Sequence, residues 1–300
     1  MISNRTRACC SLAFLTWNAR RCFVSGFLCE YSPPKVTTAV RRAENYQPSP
    51  RSFSSTPLTM AEQTEVDVGA NLEDVRLRVA QACEHAGRDL SGVRLVAVSK
   101  TKPLDLVKQA YESGQRVFGE NYAQELVEKA GEMGKSDIQW HFIGGLQSNK
   151  ANMLVKGVVP HGTLVVETVN SLKVAKKLDN AMSDFDGKLG IFVQVNTSGE
   201  ESKSGVTTDG AIELCQQITS ECERIQLKGV MTIGAPGDTE CLEALVTCRD
   251  KVATALGMKS EDLEISMGMS GDFEVAILKG STNVRVGSTI FGARDYSNKK

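Results

Sequence analysis

An α/β chain closing into a single (β/α)8 TIM barrel, preceded by an N-terminal leader, is the fold class that the sequence predicts. Three observations carry it. Strand-like apolar runs alternate with helix-like segments eight times from Val93 onward. The roughly 240 residues from Met60 suit one such barrel and leave little over. The alternative, an open doubly wound sheet, lacks its dinucleotide fingerprint, because Gly268-x-Ser270-Gly271 is not G-x-G-x-x-G.

The elements follow in order. Val68, Leu72, Val75, Val79 and Cys83 recur at three- and four-residue steps. That spacing predicts an amphipathic helix over Val66–His85, closed by Gly87, which could cap one end of the barrel. Val93–Val98 is the first strand, and Pro103 starts its helix, Leu104–Ser113. Arg116–Phe118 is a short second strand. Gly119-Glu120-Asn121 reads as a loop before the helix Ala123–Met133. Ile138–Ile143 is the third strand, with a short helix over Asn149–Val155. Thr163–Val169 and Leu172–Met182 are the fourth pair. Lys188–Val195 is the fifth strand, with Ile191, Val193 and Val195 on one face, and Thr208–Cys222 its helix. Leu227–Ile233 and Thr239–Leu256 form the sixth pair. Leu263–Met267 and Phe273–Lys279 form the seventh, and Asn283–Val286 is the eighth strand.

Composition narrows the function. The net charge of −1 hides an asymmetry: residues 1–59 hold eight Lys/Arg against two acids, or +6, which leaves −7 for the rest. An acidic body gives no sign of nucleic-acid or anionic-membrane binding. The first 59 residues are rich in Arg and Ser and poor in acids, the composition of a transit peptide. Arg51-Ser52-Phe53-Ser54 resembles a mitochondrial processing site, and initiation at Met60 would give a cytoplasmic form. Apolar patches there are short and broken by Arg20 and Arg21, so no membrane span is expected. Of nine cysteines, four lie in this leader. No C-x-x-C occurs and the three histidines are scattered, so neither a zinc site nor a disulfide framework is supported. Cys215 with Cys222, and Cys241 with Cys248, read as thiols on buried helix faces.

The chemistry gathers at the predicted C-terminal ends of the strands. Leu95-Val96-Ala97-Val98 runs into Ser99-Lys100-Thr101-Lys102-Pro103. Lys100 therefore stands where a buried strand meets its βα loop, the edge that carries the active sites of parallel α/β folds. An apolar wall disfavours the charged form of an amine, and a neutral amine is the nucleophile that condenses with an aldehyde. Opposite it, Ser266–Ser270 and Arg285–Thr289 end the last two strands. These are the loops from which barrel phosphate sites are often built, and their small residues let backbone N–H groups approach oxygens. Gly119–Asn121, His141–Gly145 and Asn196–Gly199 belong to the same edge.

Together these stretches carry a likeness. Val98–Pro103, Phe118-Gly119-Glu120-Asn121-Tyr122, Trp140–Gly144 with Leu146–Lys150, Ser266–Ser270, and Val284–Gly287 with Ile290–Tyr296 resemble the motifs of the pyridoxal-phosphate homeostasis protein family. The likeness runs in order over about Val66 to Tyr296. It implies a barrel of the alanine-racemase N-terminal kind (fold type III of the PLP proteins), here one domain over residues 60–300. It also implies pyridoxal 5'-phosphate held by Lys100 as a Schiff base. The phosphate would lie on Ser270 and the backbone around Gly287 and Ser288. Arg285 would face the pyridine nitrogen, where a cation discourages protonation and weakens the ring as an electron sink. Asn121, His141 and Asn196 would line the pocket.

Racemases of this fold take a tyrosine acid/base from a second, β-rich domain of a partner subunit, and a chain ending soon after Tyr296 is expected to lack it. The resemblance thus implies a non-catalytic carrier or buffer in PLP homeostasis, a monomer or weak dimer that passes PLP to apo PLP-dependent enzymes. A weak amino-acid racemase and a Schiff-base sugar-phosphate lyase are the alternatives.

Overall fold

The computed structural model describes residues 66–200, 204–234 and 237–293. The leader over 1–59, the Met60 start and Arg294–Tyr296 lie outside the described residues.

Eight parallel strands close into a barrel in sequence order. They are β1 (Arg94–Val98), β2 (Val117–Glu120), β3 (Gln139–Phe142), β4 (Thr163–Val169), β5 (Leu189–Gln194), β6 (Ile225–Met231), β7 (Glu264–Met269) and β8 (Asn283–Val286). The seam is β8 on β1, in register through Leu95 with Val284 and Val96 with Arg285. Outside run α1 (Val68–His85), α2 (Leu104–Glu112), α3 (Ala123–Met133), α4 (Ala151–Val158), α5 (Leu172–Ala181), α6 (Thr208–Glu221), α7 (Thr239–Leu256) and α8 (Phe273–Leu278). A single turn of helix, α9 (Ser288–Phe291), follows β8.

Alternation along the strands makes two cores. Outward residues such as Phe118, Trp140, Val166, Ile191, Val193, Ile265 and Val284 meet the helices in one continuous shell. Phe118 and Trp140 are fully buried, with ring centroids 5.6 Å apart; burying each aromatic side chain stabilises the fold by about 1.5–3 kcal/mol. Inward residues form two small apolar groups: Val96, Val98 and Ile143, and Val165, Phe192 and Met231. Between them the barrel interior is polar. Cys215 and Cys248 are buried in the shell, and burial pushes their thiols up to about 12 and about 11.

Four expectations need correction. The helix α1 does not cap an end of the barrel but packs in the outer ring against α8 and α2. Arg78 holds Glu274 of α8 at 2.5 Å, and the Arg76 guanidinium donates to Ser113 O at the end of α2. The ladder of β2 runs on through Gly119 and Glu120, which were expected to be loop. Gly119 can stay there because a Cβ would come within 2.9 Å of Val96 inside the barrel, so only glycine fits. Strand β6 is shifted two residues earlier than expected: Ile225 and Gln226 already pair with Leu189 and Gly190 of β5, and beyond Met231 the Thr232 N–H still donates to Ser266 O while its carbonyl accepts from Arg285. Helix α4 starts at Ala151, because Gln147–Lys150 closes a turn first, with Lys150 N donating to Gln147 O.

Close strand contact sets a testable limit. A Cβ at Gly229 would lie 1.9 Å from Glu264 O on β7, whereas one at Gly271 meets nothing within 4 Å. Gly229→Ala is expected to destabilise the barrel by about 1–3 kcal/mol or more, and Gly271→Ala to stay within about 0.5 kcal/mol. Urea unfolding of both variants checks this.

Candidate functional site

A cavity of about 570 Å³ opens at the C-terminal ends of the strands. Its wall includes Val98 and Lys100 at the end of β1, Ile143 after β3, Met269–Asp272 after β7, and Arg285, Gly287 and Ser288 on and after β8. Lys102 and Ala293 complete one side, and the Lys102 ammonium donates to Ala293 O at 2.6 Å. The loops after the last two strands are tied together, since the Gly287 N–H donates to Ser270 Oγ at 3.0 Å. Asp272 Oδ1 in turn accepts from the Met269 N–H at 2.6 Å. An amine, a guanidinium and a rim of small residues therefore face one space.

Arg285 is the floor of the cavity, only 4% exposed. Its guanidinium donates to Ser266 Oγ at 2.5 Å and to Thr232 O at 2.8 Å, and lies 3.9 Å from Glu167. Glu167 projects from β4 into the barrel with no exposure. It accepts from Ser266 Oγ at 2.5 Å and Asn283 Nδ2 at 2.8 Å, and contacts His141 Nδ1. Burial alone would raise its pKa, but the contact with His141, the charge of Arg285 and the Ser266 hydroxyl together outweigh burial and hold the carboxyl down at about 2. Burial lowers Arg285 from its ordinary value while Glu167 and Asp272 oppose that shift; an arginine stays charged in such a place.

A second buried network lies on the outer side of the wall, beside Lys100. Glu120 Oε1 accepts from Ser99 Oγ and from Lys129 Nζ, both at 2.7 Å, while Oε2 has no hydrogen-bond partner among the described residues. Burial pushes the Glu120 carboxyl up to about 7, and its neighbour Glu125 adds to the rise against the opposing charge of Lys129. Thr101, the residue after Lys100, has φ +61°, the only non-glycine residue at positive φ among the described residues. A β-branched residue in that region costs on the order of 1–3 kcal/mol and persists only where its surroundings impose it.

Five of the eight residues singled out by sequence, Lys100, Ser270, Arg285, Gly287 and Ser288, share this cavity. The other three stand elsewhere. His141 does not line the cavity but is buried inside the barrel against Glu167. Asn121 lines a separate hollow with Tyr122, Gln147 and Lys150. Asn196 ties its own loop, its amide donating to Glu200 O at 2.8 Å and its Oδ1 accepting from Ser198 Oγ at 3.0 Å. Sequence reasoning missed Glu167, Asn283 and Lys129, and gave Ser266, though part of a quoted motif, no role of its own. Glu167 could have been found as the lone charged residue in a buried strand, whereas Lys129 carries the pattern of an exposed helix pair.

A parallel barrel with a lysine at the end of its first strand defines a class, and the comparisons agree on it. The family model for the alanine racemase N-terminal domain matches residues 70–295. Alanine racemase from Clostridium difficile shares the fold, with TM-score 0.57 at 15% identity over 76% of this chain and 59% of that one. Closer likeness narrows the class. The human pyridoxal phosphate homeostasis protein is 44% identical over 249 residues, 78% of this chain and 90% of that one. Its namesake from Escherichia coli is 39% identical over 78% of this chain and 99% of that one. PipY of Synechococcus elongatus, solved with PLP bound, has TM-score 0.61 at 30% identity, covering 75% of this chain and all of PipY. The chain belongs to the pyridoxal phosphate homeostasis protein family.

Glu120 yields a pH prediction. Its folded pKa of about 7 lies above the ordinary 4.5, so the folded state binds the proton more tightly than the unfolded one. This contribution is complete below about pH 4.5 and is lost as pH rises through about 7, a change of up to roughly 3 kcal/mol. Glu120→Gln is expected to flatten the fall in stability across that window, as read by urea unfolding at a series of pH values.

Proposed function

We propose that the chain binds pyridoxal 5'-phosphate in the cavity at the mouth of the barrel, attached through Lys100, and acts as a carrier or buffer of PLP rather than as a catalyst. The observation that carries this reading is the convergence of Lys100, Arg285 and the small residues Ser270, Gly271, Gly287 and Ser288 on one cavity. The donor set fits the compound. A volume of about 570 Å³ is of the size that holds small cofactors. Hydroxyls and unshielded backbone after β7 and β8 suit a phosphate. When bound, PLP supplies an aldehyde carbon that a neutral amine attacks with loss of water.

Each residue then has a task. Lys100 would hold the compound covalently from the end of β1. Ser270 and the backbone of Gly287 and Ser288 would hold the phosphate. Arg285 would face the pyridine nitrogen, and its contacts with Ser266, Thr232 and Glu167 keep a fixed cation there. A cation at that place discourages a proton on the nitrogen and leaves the ring a poor electron sink. That supports carriage over catalysis. The names of the human and E. coli relatives, and PipY solved with PLP bound, support the same reading. Apo PLP-dependent enzymes are the recipients it implies.

Lys100→Ala is expected to abolish covalent attachment and to leave the barrel folded, with stability within about 1 kcal/mol of wild type. The check is a visible absorbance that borohydride fixes to the protein, followed by peptide mapping. A fixed label that survives in the variant would move the attachment to another lysine, Lys102 first. Racemisation of amino acids by the wild type above the rate of free PLP would displace the carrier reading.

We also infer that the basic, acid-poor leader directs the chain to mitochondria, with initiation at Met60 giving a cytoplasmic form. A fusion of residues 1–65 to a fluorescent protein is expected to enter mitochondria, and one lacking residues 1–59 to stay in the cytoplasm. A wholly cytoplasmic longer fusion would refute the leader.

A further inference from the structure

Lys129 is on α3, outside the barrel wall, and only 6% exposed. Lysine is rarely so enclosed, because a buried ammonium must be met by partners. Its Nζ donates to Ser99 O at 2.8 Å and to Glu120 Oε1 and Glu125 Oε1, each at 2.7 Å. Those three contacts use the three protons of an ammonium group.

Two of them converge on the backbone that presents Lys100. The Ser99 carbonyl belongs to the peptide unit before Lys100. The Thr101 N–H belongs to the unit after it, and donates to Glu125 Oε1 at 2.7 Å. One carboxylate oxygen of Glu125 therefore accepts from both Lys129 and Thr101. Ser99 O also accepts from Lys102 N at 3.1 Å, which closes a turn over Ser99–Lys102. Thr101, at φ +61°, occupies the third position of that turn, where glycine is usual. The turn is thus held in a conformation its own residues disfavour, by side chains that do not line the cavity.

We propose that Lys129, acting with Glu125, is a positioning residue for Lys100: the pair clamps the two peptide units that flank it and so sets the direction in which its amine enters the cavity. This rests on the PLP-binding reading above. Attachment requires the Lys100 nitrogen to add to the aldehyde carbon, a carbon–nitrogen double bond to form, and the aldehyde oxygen to leave as water. An amine already aimed at that carbon loses less freedom on reacting.

The test compares two ligands on the full-length chain. Pyridoxamine 5'-phosphate has the ring and phosphate of PLP but an amine in place of the aldehyde, so it occupies the cavity without a bond to Lys100. Lys129→Met and Glu125→Gln are expected to weaken PLP binding about tenfold while changing pyridoxamine phosphate binding less than about twofold. Lys129→Arg, which keeps the cation and its donors, is expected to recover most of the loss. In the ligand-free protein, amide exchange at Thr101 is expected to quicken in Glu125→Gln. If Lys129→Met fails to fold, Glu125→Gln decides, since that carboxylate is partly exposed.

Equal loss of both ligands would reduce Lys129 to structural support and overturn the proposal, as would unchanged PLP binding. Wild-type protein that binds neither ligand would refute the PLP reading instead. The positioning role would then stand or fall on Thr101 exchange, and an unchanged rate would overturn it.

Discussion

A charge inside a closed barrel has to be met by protein atoms, because little water reaches it. Glu167 is such a charge, fully buried on β4, and three strands answer it directly. His141 comes from β3, Ser266 from β7, and Asn283 and Arg285 from β8, while Thr232 at the end of β6 holds the far side of the Arg285 guanidinium. This network takes the middle of the barrel, between two small apolar groups, where layered apolar filling is usual. It also fixes where the cation at the cavity floor stands. Take away the carboxylate and Arg285 is left buried with its principal counter-charge gone, a state that costs about 3–5 kcal/mol.

The cavity is bracketed by two networks of this sort, one inside the wall and one outside. The inner one orders Arg285; the outer one, through Lys129, Glu120 and Glu125, orders the turn around Lys100. Well-packed apolar residues often match or exceed a buried ion pair in stability. What apolar residues lack is direction. Hydrogen bonds of 2.5–2.8 Å to named atoms hold Arg285 and the Ser99 carbonyl in one arrangement. The opposite shifts of the two carboxylates fit this picture: against burial, His141, Arg285 and Ser266 hold Glu167 down at about 2, while burial pushes Glu120, whose Oε2 has no partner among the described residues, up to about 7.

Most of the wall was legible because parallel strands buried on both faces read as apolar runs of the right length. Lys100 was legible for the same reason: it ends such a run just before Pro103, a helix start. The rim residues Ser270, Gly287 and Ser288 followed from where β7 and β8 end. The failures share a cause. Gly119 and Glu120 resemble a loop because glycine and a carboxylate are poor strand formers. They stay in the ladder because Val96 leaves no room for a Cβ inside and Lys129 meets the carboxylate outside. His141 sits at a strand end in sequence, but its side chain faces the barrel interior and is taken up by Glu167. Asn121 and Asn196 lie at the same edge, Asn121 lining a second hollow and Asn196 hydrogen-bonded within its own loop.

By itself the sequence determined the alternation of elements, the closure at eight strands, the lysine at the end of β1 and the small residues facing it. These are local properties, set by periodicity, by turn residues and by the length of apolar runs. Tertiary structure alone decided which polar side chains meet. Glu125 and Lys129, four apart on a helix, have the spacing of an ordinary solvent-exposed pair. Only the packing of α3 against β2 and the turn after β1 encloses Lys129 and turns the pair toward the peptides around Lys100. Partners 99 and 116 residues from Glu167 in the chain are likewise invisible to any local pattern, because the closure of the barrel is what brings them within hydrogen-bond distance.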